Sequence, residues 1–122
     1  MARSKISVFA YQIRKIILRQ AKKANVGHIG SALSIADIIA ALYGNILIVP
    51  EPESQERDRF VLSKGHAALA LYAALFLKGW ITRKHLDSYC TDGSVLGVHP
   101  EHVLQGVDFS TGSLGLGLSM AA

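Results

Sequence analysis

A chain of 122 residues, half of them apolar, has material for one domain with one core, and no apolar run in it approaches the roughly 18 to 20 residues that a membrane span needs. The formal net charge is +4, and Arg3, Lys5, Arg14, Lys15, Arg19, Lys22 and Lys23 all precede the first acid, Asp37. A solvated helix face accounts for such a run; a nucleic-acid stripe or an organelle presequence are the functional alternatives, and no interleaved aromatics or RNA-binding motif supports the former. The single cysteine, Cys90, excludes an internal disulfide and fits a reducing compartment.

Ile6, Ala10, Ile13, Ile17, Ala21 and Ala24 recur at spacings of three and four, which predicts a first helix from about Ser4 to Ala24, ended by Asn25 and Gly27. Ser34 reads as the N-cap of a second helix running to Leu47, with Asp37 three residues on. Pro50 and Pro52 mark a polar connection. Arg59–Ser63 is the best strand candidate, and Lys64-Gly65 turns the chain into a small-residue helix from Ala67 to Lys78, ended by Gly79. Thr82 can cap a short helix to about Tyr89; Cys90 to Thr111 reads as irregular, and a last helix begins near Gly112. These elements predict a helix-rich α/β fold with few parallel strands. One clear strand leaves the apolar helix faces and the apolar segment Leu114–Ala122 uncovered, so the chain by itself is expected to expose a large apolar patch and to self-associate.

Three of the five histidines sit at glycine-flanked turns: His28 in Gly-His-Ile-Gly, His66 in Ser-Lys-Gly-His-Ala and His99 in Gly-Val-His-Pro-Glu. Loops on a rigid scaffold are where ligand-binding groups concentrate. His66 falls at the mouth of a helix, where unpaired N–H groups attract an anion, so it suits either anion binding or capping. His28 and His99 can donate, accept or relay a proton near neutral pH, or can be exposed turn residues. His85 and His102 have weaker claims. Zinc is disfavoured: Pro100 stands between His99 and His102, no paired cysteines exist and no H-E-x-x-H is present. The phosphate loop G-x-x-x-x-G-K-[ST], the G-x-G-x-x-G fingerprint and the G-x-S-x-G nucleophile turn are all missing.

Four segments in this order resemble the N-terminal part of transketolases: Gly27–Ser31, Asp58–Ala67, Val98–Glu101 and Thr111–Gly115. The resemblance covers nearly the whole chain, and the Ser-Lys-Gly-His-Ala form looks most like the enzymes split into N- and C-terminal subunits. It implies a thiamine-diphosphate-binding domain, of which residues 1–122 would be one partial domain. It further implies transfer of a two-carbon ketol unit between sugar phosphates, with Mg²⁺ as the metal. His66 would contact the cofactor diphosphate, and Gly112, Ser113 and Leu114 would pack beside its aminopyrimidine. His28 and His99 would line the substrate channel as catalytic residues. A C-terminal subunit or the remainder of the chain would be the partner, in a homo-oligomer or heterotetramer in the cytoplasm, with no nucleic acid or membrane involved.

The departures also carry information. Ser113 stands where single-chain relatives often have Pro, and the residue before His99 differs. No Gly-Asp-Gly followed by Asn, the family's metal motif, occurs in these residues, and Asp92-Gly93 lies in the wrong stretch to replace it. The metal ligands are therefore expected beyond Ala122, and the 122 residues alone are expected to bind the cofactor poorly and to be inactive. The alternatives are a non-catalytic truncated or partner-binding module, and another thiamine-diphosphate enzyme such as a deoxyxylulose-phosphate synthase; the Gly-His-Ile-Gly and Val-His-Pro-Glu segments argue against the last.

Overall fold

The computed structural model describes residues 4–122; Arg3, the first cation of the N-terminal run, lies outside the described residues. Helix α1 spans Lys5–Ala24, with the Ser4 hydroxyl accepting from the Ser7 N–H at 3.1 Å. Its inner face buries Ala10, Ile13, Ile16, Ile17 and Ala21. Asn25, at φ 54°, closes it in the left-handed region, and Lys22 and Lys23 in the last turn complement the negative end of the helix dipole.

The helix expected from Ser34 to Leu47 is two pieces, and the turn expected ahead of it holds a further short helix. Helix α2 spans Ile29–Ser34, helix α3 spans Ala36–Ala41, and a π turn spans Leu42–Ile46. Ser34 does not cap α3. Its hydroxyl donates back to the Ser31 carbonyl at 2.8 Å, a bond that belongs to the end of a helix, and Ile35 at φ −110° makes the break. The π turn closes with the Leu47 N–H on the Leu42 carbonyl at 2.8 Å and sends Tyr43 inward.

No strand forms among the described residues, so the expected Arg59–Ser63 strand is corrected, and of the expected α/β class the helix-rich part is what they show. A strand needs a neighbour to take its N–H and C=O groups. Here side chains take them: the Asp108 carboxylate accepts from the Phe60 N–H at 2.8 Å, and the Thr111 hydroxyl donates to the Leu62 carbonyl at 2.6 Å.

Helix α4 spans Ala68–Leu77 after a 3₁₀ turn at Gly65–Ala67, and every residue from Ala68 to Leu75 is buried. A helix apolar on all sides belongs inside. It packs against α1, α2, α3 and the short helix α5, Arg83–Asp87, which Thr82 caps by accepting from the His85 N–H at 3.1 Å. Gly79, at φ 80°, ends the α4 turn as expected. The stretch from Cys90 to Thr111 is irregular, pinned to the core where the Tyr72 hydroxyl lies 3.0 Å from the carbonyls of both Gly97 and His99. The last helix, α6, spans Leu116–Ala121 and begins later than Gly112 because Gly115 turns the chain at φ 86°. Leu114, Leu116 and Leu118 remain more than half exposed.

One ion pair holds the long connection in place. Asp108 takes both Arg57 guanidinium nitrogens, at 3.1 and 2.5 Å, and these side chains are only 6% and 10% exposed. Arg57 also donates to the Pro52 carbonyl at 2.8 Å. Removing one partner strands the other away from water, which costs far more than the pair contributes. Asp108→Asn should therefore destabilise the fold by about 3 kcal/mol, read as a lower urea midpoint with unchanged slope. A shift below about 1 kcal/mol would show that the Arg57 charge escapes to solvent.

Candidate functional site

The three turn histidines meet in one place. The rings of His28 and His66 stand 4.8 Å apart centre to centre at 69°, and those of His66 and His99 stand 4.6 Å apart at 88°. His66 is the middle member of the row. Each is brought in by a different device. His28 precedes α2 in the left-handed region at φ 64°, a conformation uncommon for residues other than glycine but one in which histidine, like asparagine and aspartate, is enriched. His66 lies in the 3₁₀ turn that leads into α4. His99 sits on the irregular stretch, its carbonyl beside Tyr72.

Gly65 allows the approach. A Cβ at this position would lie 2.9 Å from the Thr111 carbonyl group and from the Gly112 nitrogen, closer than side chains are found. Thr111 fixes the facing turn from both directions, through its hydroxyl on Leu62 and its N–H on the Pro100 carbonyl at 3.2 Å. Gly112 then packs on the His99 ring, with the site for a Cβ 3.6 Å from the ring carbon.

Lys64 is a residue that the local motifs did not single out. Its ammonium donates to the Ser34 hydroxyl at 2.8 Å and lies 3.4 Å from the Ser31 carbonyl, tying the His66 turn to α2, the helix that His28 opens. Two lysine-to-serine contacts across thirty residues leave no mark in a local pattern. His102 does not join the row; its ring Nδ1 lies 3.0 Å from the Ser110 hydroxyl, which also accepts from the His102 N–H. His85 is in α5, away from the row. Leu114, next to Gly112 and Ser113 in the same turn, is 75% exposed.

A cleft of about 370 Å³ opens beside the row, lined by His99, Pro100, Glu101, Ser110, Thr111, Gly112, Ser113, Leu116 and Met120. His99 is one of its lining residues, and the Nε2 atom of that ring is buried without a hydrogen-bond partner. Buried polar atoms are nearly always paired, so an orphan at the wall of a cleft is suited to a ligand. The glycine-walled turn and the orphan imidazole fit a polar ring held at its edge. Among the described residues no cluster of three His, Cys, Asp or Glu side chains is placed to hold a metal ion.

Partial withdrawal from water pushes the His66 pKa below its ordinary value of 6.5, and the neighbouring His99 and His28 add repulsion in the same direction. His66 is therefore neutral at pH 7 and offers one donor and one acceptor. A lowered pKa favours the neutral form in the folded chain, so this contribution to stability is complete above pH 6.5 and is lost as pH falls through the folded value.

Residues 6–122 match the family of transketolase thiamine diphosphate binding domains. Among curated proteins, the 6-deoxy-6-sulfo-D-fructose transketolase subunit SqwG of Clostridium sp. strain MSTE9 is 46% identical over 112 residues, covering 89% of this chain and 41% of that protein. An apulose-4-phosphate transketolase subunit of Phocaeicola vulgatus is 43% identical over 109 residues, covering 88% of this chain and 39% of that one. The chain thus spans about two fifths of the length of these relatives. Among solved structures, transketolase from Leishmania mexicana superposes with a TM-score of 0.89 at 32% identity, over 98% of this chain and 18% of that one.

The row predicts a titration. The His66 ring should titrate below 6.5, and in His99→Asn its midpoint should move back toward 6.5 without reaching it, because withdrawal from water remains the larger cause. Ring-proton NMR over pH 4–9 reads both values; a His66 midpoint indifferent to His99 would remove the electrostatic coupling.

Proposed function

The chain belongs to the family of transketolase thiamine diphosphate binding domains, and from that premise we propose that it is the N-terminal part of a transketolase acting on sugar phosphates. The observation that carries the reading is the row of three imidazoles ending at an unpartnered Nε2 in the wall of a cleft. The names of the two relatives specify a sulfonated and a phosphorylated sugar, which supports an anionic sugar as substrate. Both are named as subunits, which supports a partner chain for this one, the C-terminal half of the enzyme, in a homo-oligomer or heterotetramer.

In this reading the neutral His66 donates to the cofactor diphosphate at the start of α4, while Gly112 and Ser113 offer backbone groups to the aminopyrimidine. Leu114, in the same turn, gives the aminopyrimidine an apolar contact. When bound, thiamine diphosphate supplies the nucleophilic carbon that a sugar carbonyl accepts. His99, through its orphan Nε2, and His28, at the outer end of the row, donate hydrogen bonds to the substrate oxygens and move protons at them. Their neighbour His66 is held neutral and adds no cation to the row. Mg²⁺ would be held by groups elsewhere in the protein. No helix among the described residues is long and apolar enough to cross a membrane, and a cytoplasmic enzyme is the proposed setting.

The test uses the full-length protein together with its C-terminal partner. His66→Ala should weaken thiamine diphosphate binding at least about tenfold, equivalent to roughly 1.4 kcal/mol, by calorimetry with Mg²⁺ present. His28→Ala and His99→Ala should each lower kcat/KM for ketol transfer about 10²- to 10⁴-fold and leave cofactor affinity nearly unchanged. Wild-type turnover in either histidine variant would overturn the assignment of that residue.

A further inference from the structure

The opposite end of α4 carries a second set of groups that the histidine row does not use. Ten residues of helix separate the two, about 15 Å at 1.5 Å per residue. Here α1, the end of α4 and the start of α5 enclose a groove of about 150 Å³. Its floor is Ile16, Phe76 and Leu77, and its rim is Lys15, Arg19 and Arg83. No acid lines it.

The cations of this chain that face an acid are paired: Arg14 with Asp37, Lys23 with Asp87, and Arg57 and Arg59 with Asp108. Lys15, Arg19 and Arg83 have no ion pair among the described residues. Nor do they serve the end of α4, because the carbonyls of Ala74, Leu75 and Phe76 already accept from the N–H groups of Lys78, Trp80 and Gly79. Three cations of like charge gather at one small concavity, and among the described residues no carboxylate is paired with any of them.

Two of them are held in place. The Arg83 guanidinium carbon lies 4.6 Å from the centre of the Phe76 ring, and the Lys15 ammonium lies 5.5 Å from that of Tyr11. A guanidinium over an aromatic face keeps its N–H donors at its edge, where they remain available. We propose that this groove binds the phosphate group of a small molecule, at a site separate from the histidine cleft. A phosphate monoester brings close to two negative charges and three acceptor oxygens, which answer two guanidinium forks and an ammonium better than one carboxylate does. The volume is about half the roughly 300 Å³ at which pockets enclose whole ligands, so the groove takes the head group and leaves the rest outside.

The test is equilibrium dialysis of labelled inorganic phosphate against the full-length protein, with thiamine diphosphate and Mg²⁺ saturating and ionic strength held constant with chloride. One site per chain with a Kd of about 1 mM or tighter is expected. The double variant R19Q/R83Q should weaken it at least tenfold, and the charge-preserving R19K/R83K should weaken it less, about threefold, because lysine lacks the fork. The lysine pair keeps the test valid should the glutamine pair fail to fold, as its smaller loss is read on a protein of unchanged charge. Binding equal in all three proteins, or no saturable site below about 10 mM, overturns the proposal. So does tighter binding of a glutamate-rich peptide than of phosphate, which would assign the groove to an acidic protein partner.

Discussion

At Gly65 two stretches of backbone nearly fifty residues apart come so close that a single methyl group would lie 2.9 Å from the Thr111–Gly112 peptide. The histidine row depends on that approach. It sets the 3₁₀ turn carrying His66 against the turn whose Gly112 supports the His99 ring, and Lys64, one residue earlier, draws in α2 with His28. Each imidazole comes from a different segment, and no two of those segments are hydrogen-bonded as a ladder. What takes the ladder's place is a set of side-chain ties, chiefly Asp108 on Arg57 and Phe60 and Thr111 on Leu62.

Helix α4 is the axis about which the two ends of the molecule differ. Its surface is apolar on every side, so it can only be interior, and α1, α2, α3 and α5 cover it. At its beginning the packing brings three imidazoles together, with His66 held neutral by its surroundings. At its end the packing brings cations together over an apolar floor. Both concentrations of polar groups are tolerated because neither lies in the core itself; the buried polar residue Gln20 is paired with Asp87 at 2.7 Å.

A solved transketolase keeps this fold at 32% identity with a TM-score of 0.89, so the fold survives change at most positions. Lys15, Arg19 and Arg83 lie outside the buried core, where the fold asks for no apolar side chain.

Local rules were enough for α1, whose Ser4 cap, apolar spacing and Asn25 stop act within a few residues of one another, and for α4, Thr82 and Gly79, for the same reason. The turns with His28, His66 and His99 were also legible, because glycine and proline act locally on φ. The break at Ile35 and the π turn after Ala41 were not, since the apolar periodicity runs through both and only packing against α1 and α4 decides where the helix axis must bend. The Arg59–Ser63 segment reads as a strand by composition, yet a strand is a relation between two segments, and Asp108 and Thr111 supply the hydrogen bonds instead. Residue types and spacing thus determined which groups could carry chemistry. Their meeting at 4.6 to 4.8 Å was decided by tertiary structure alone, because it rests on a backbone contact at Gly65 between segments that share no local pattern.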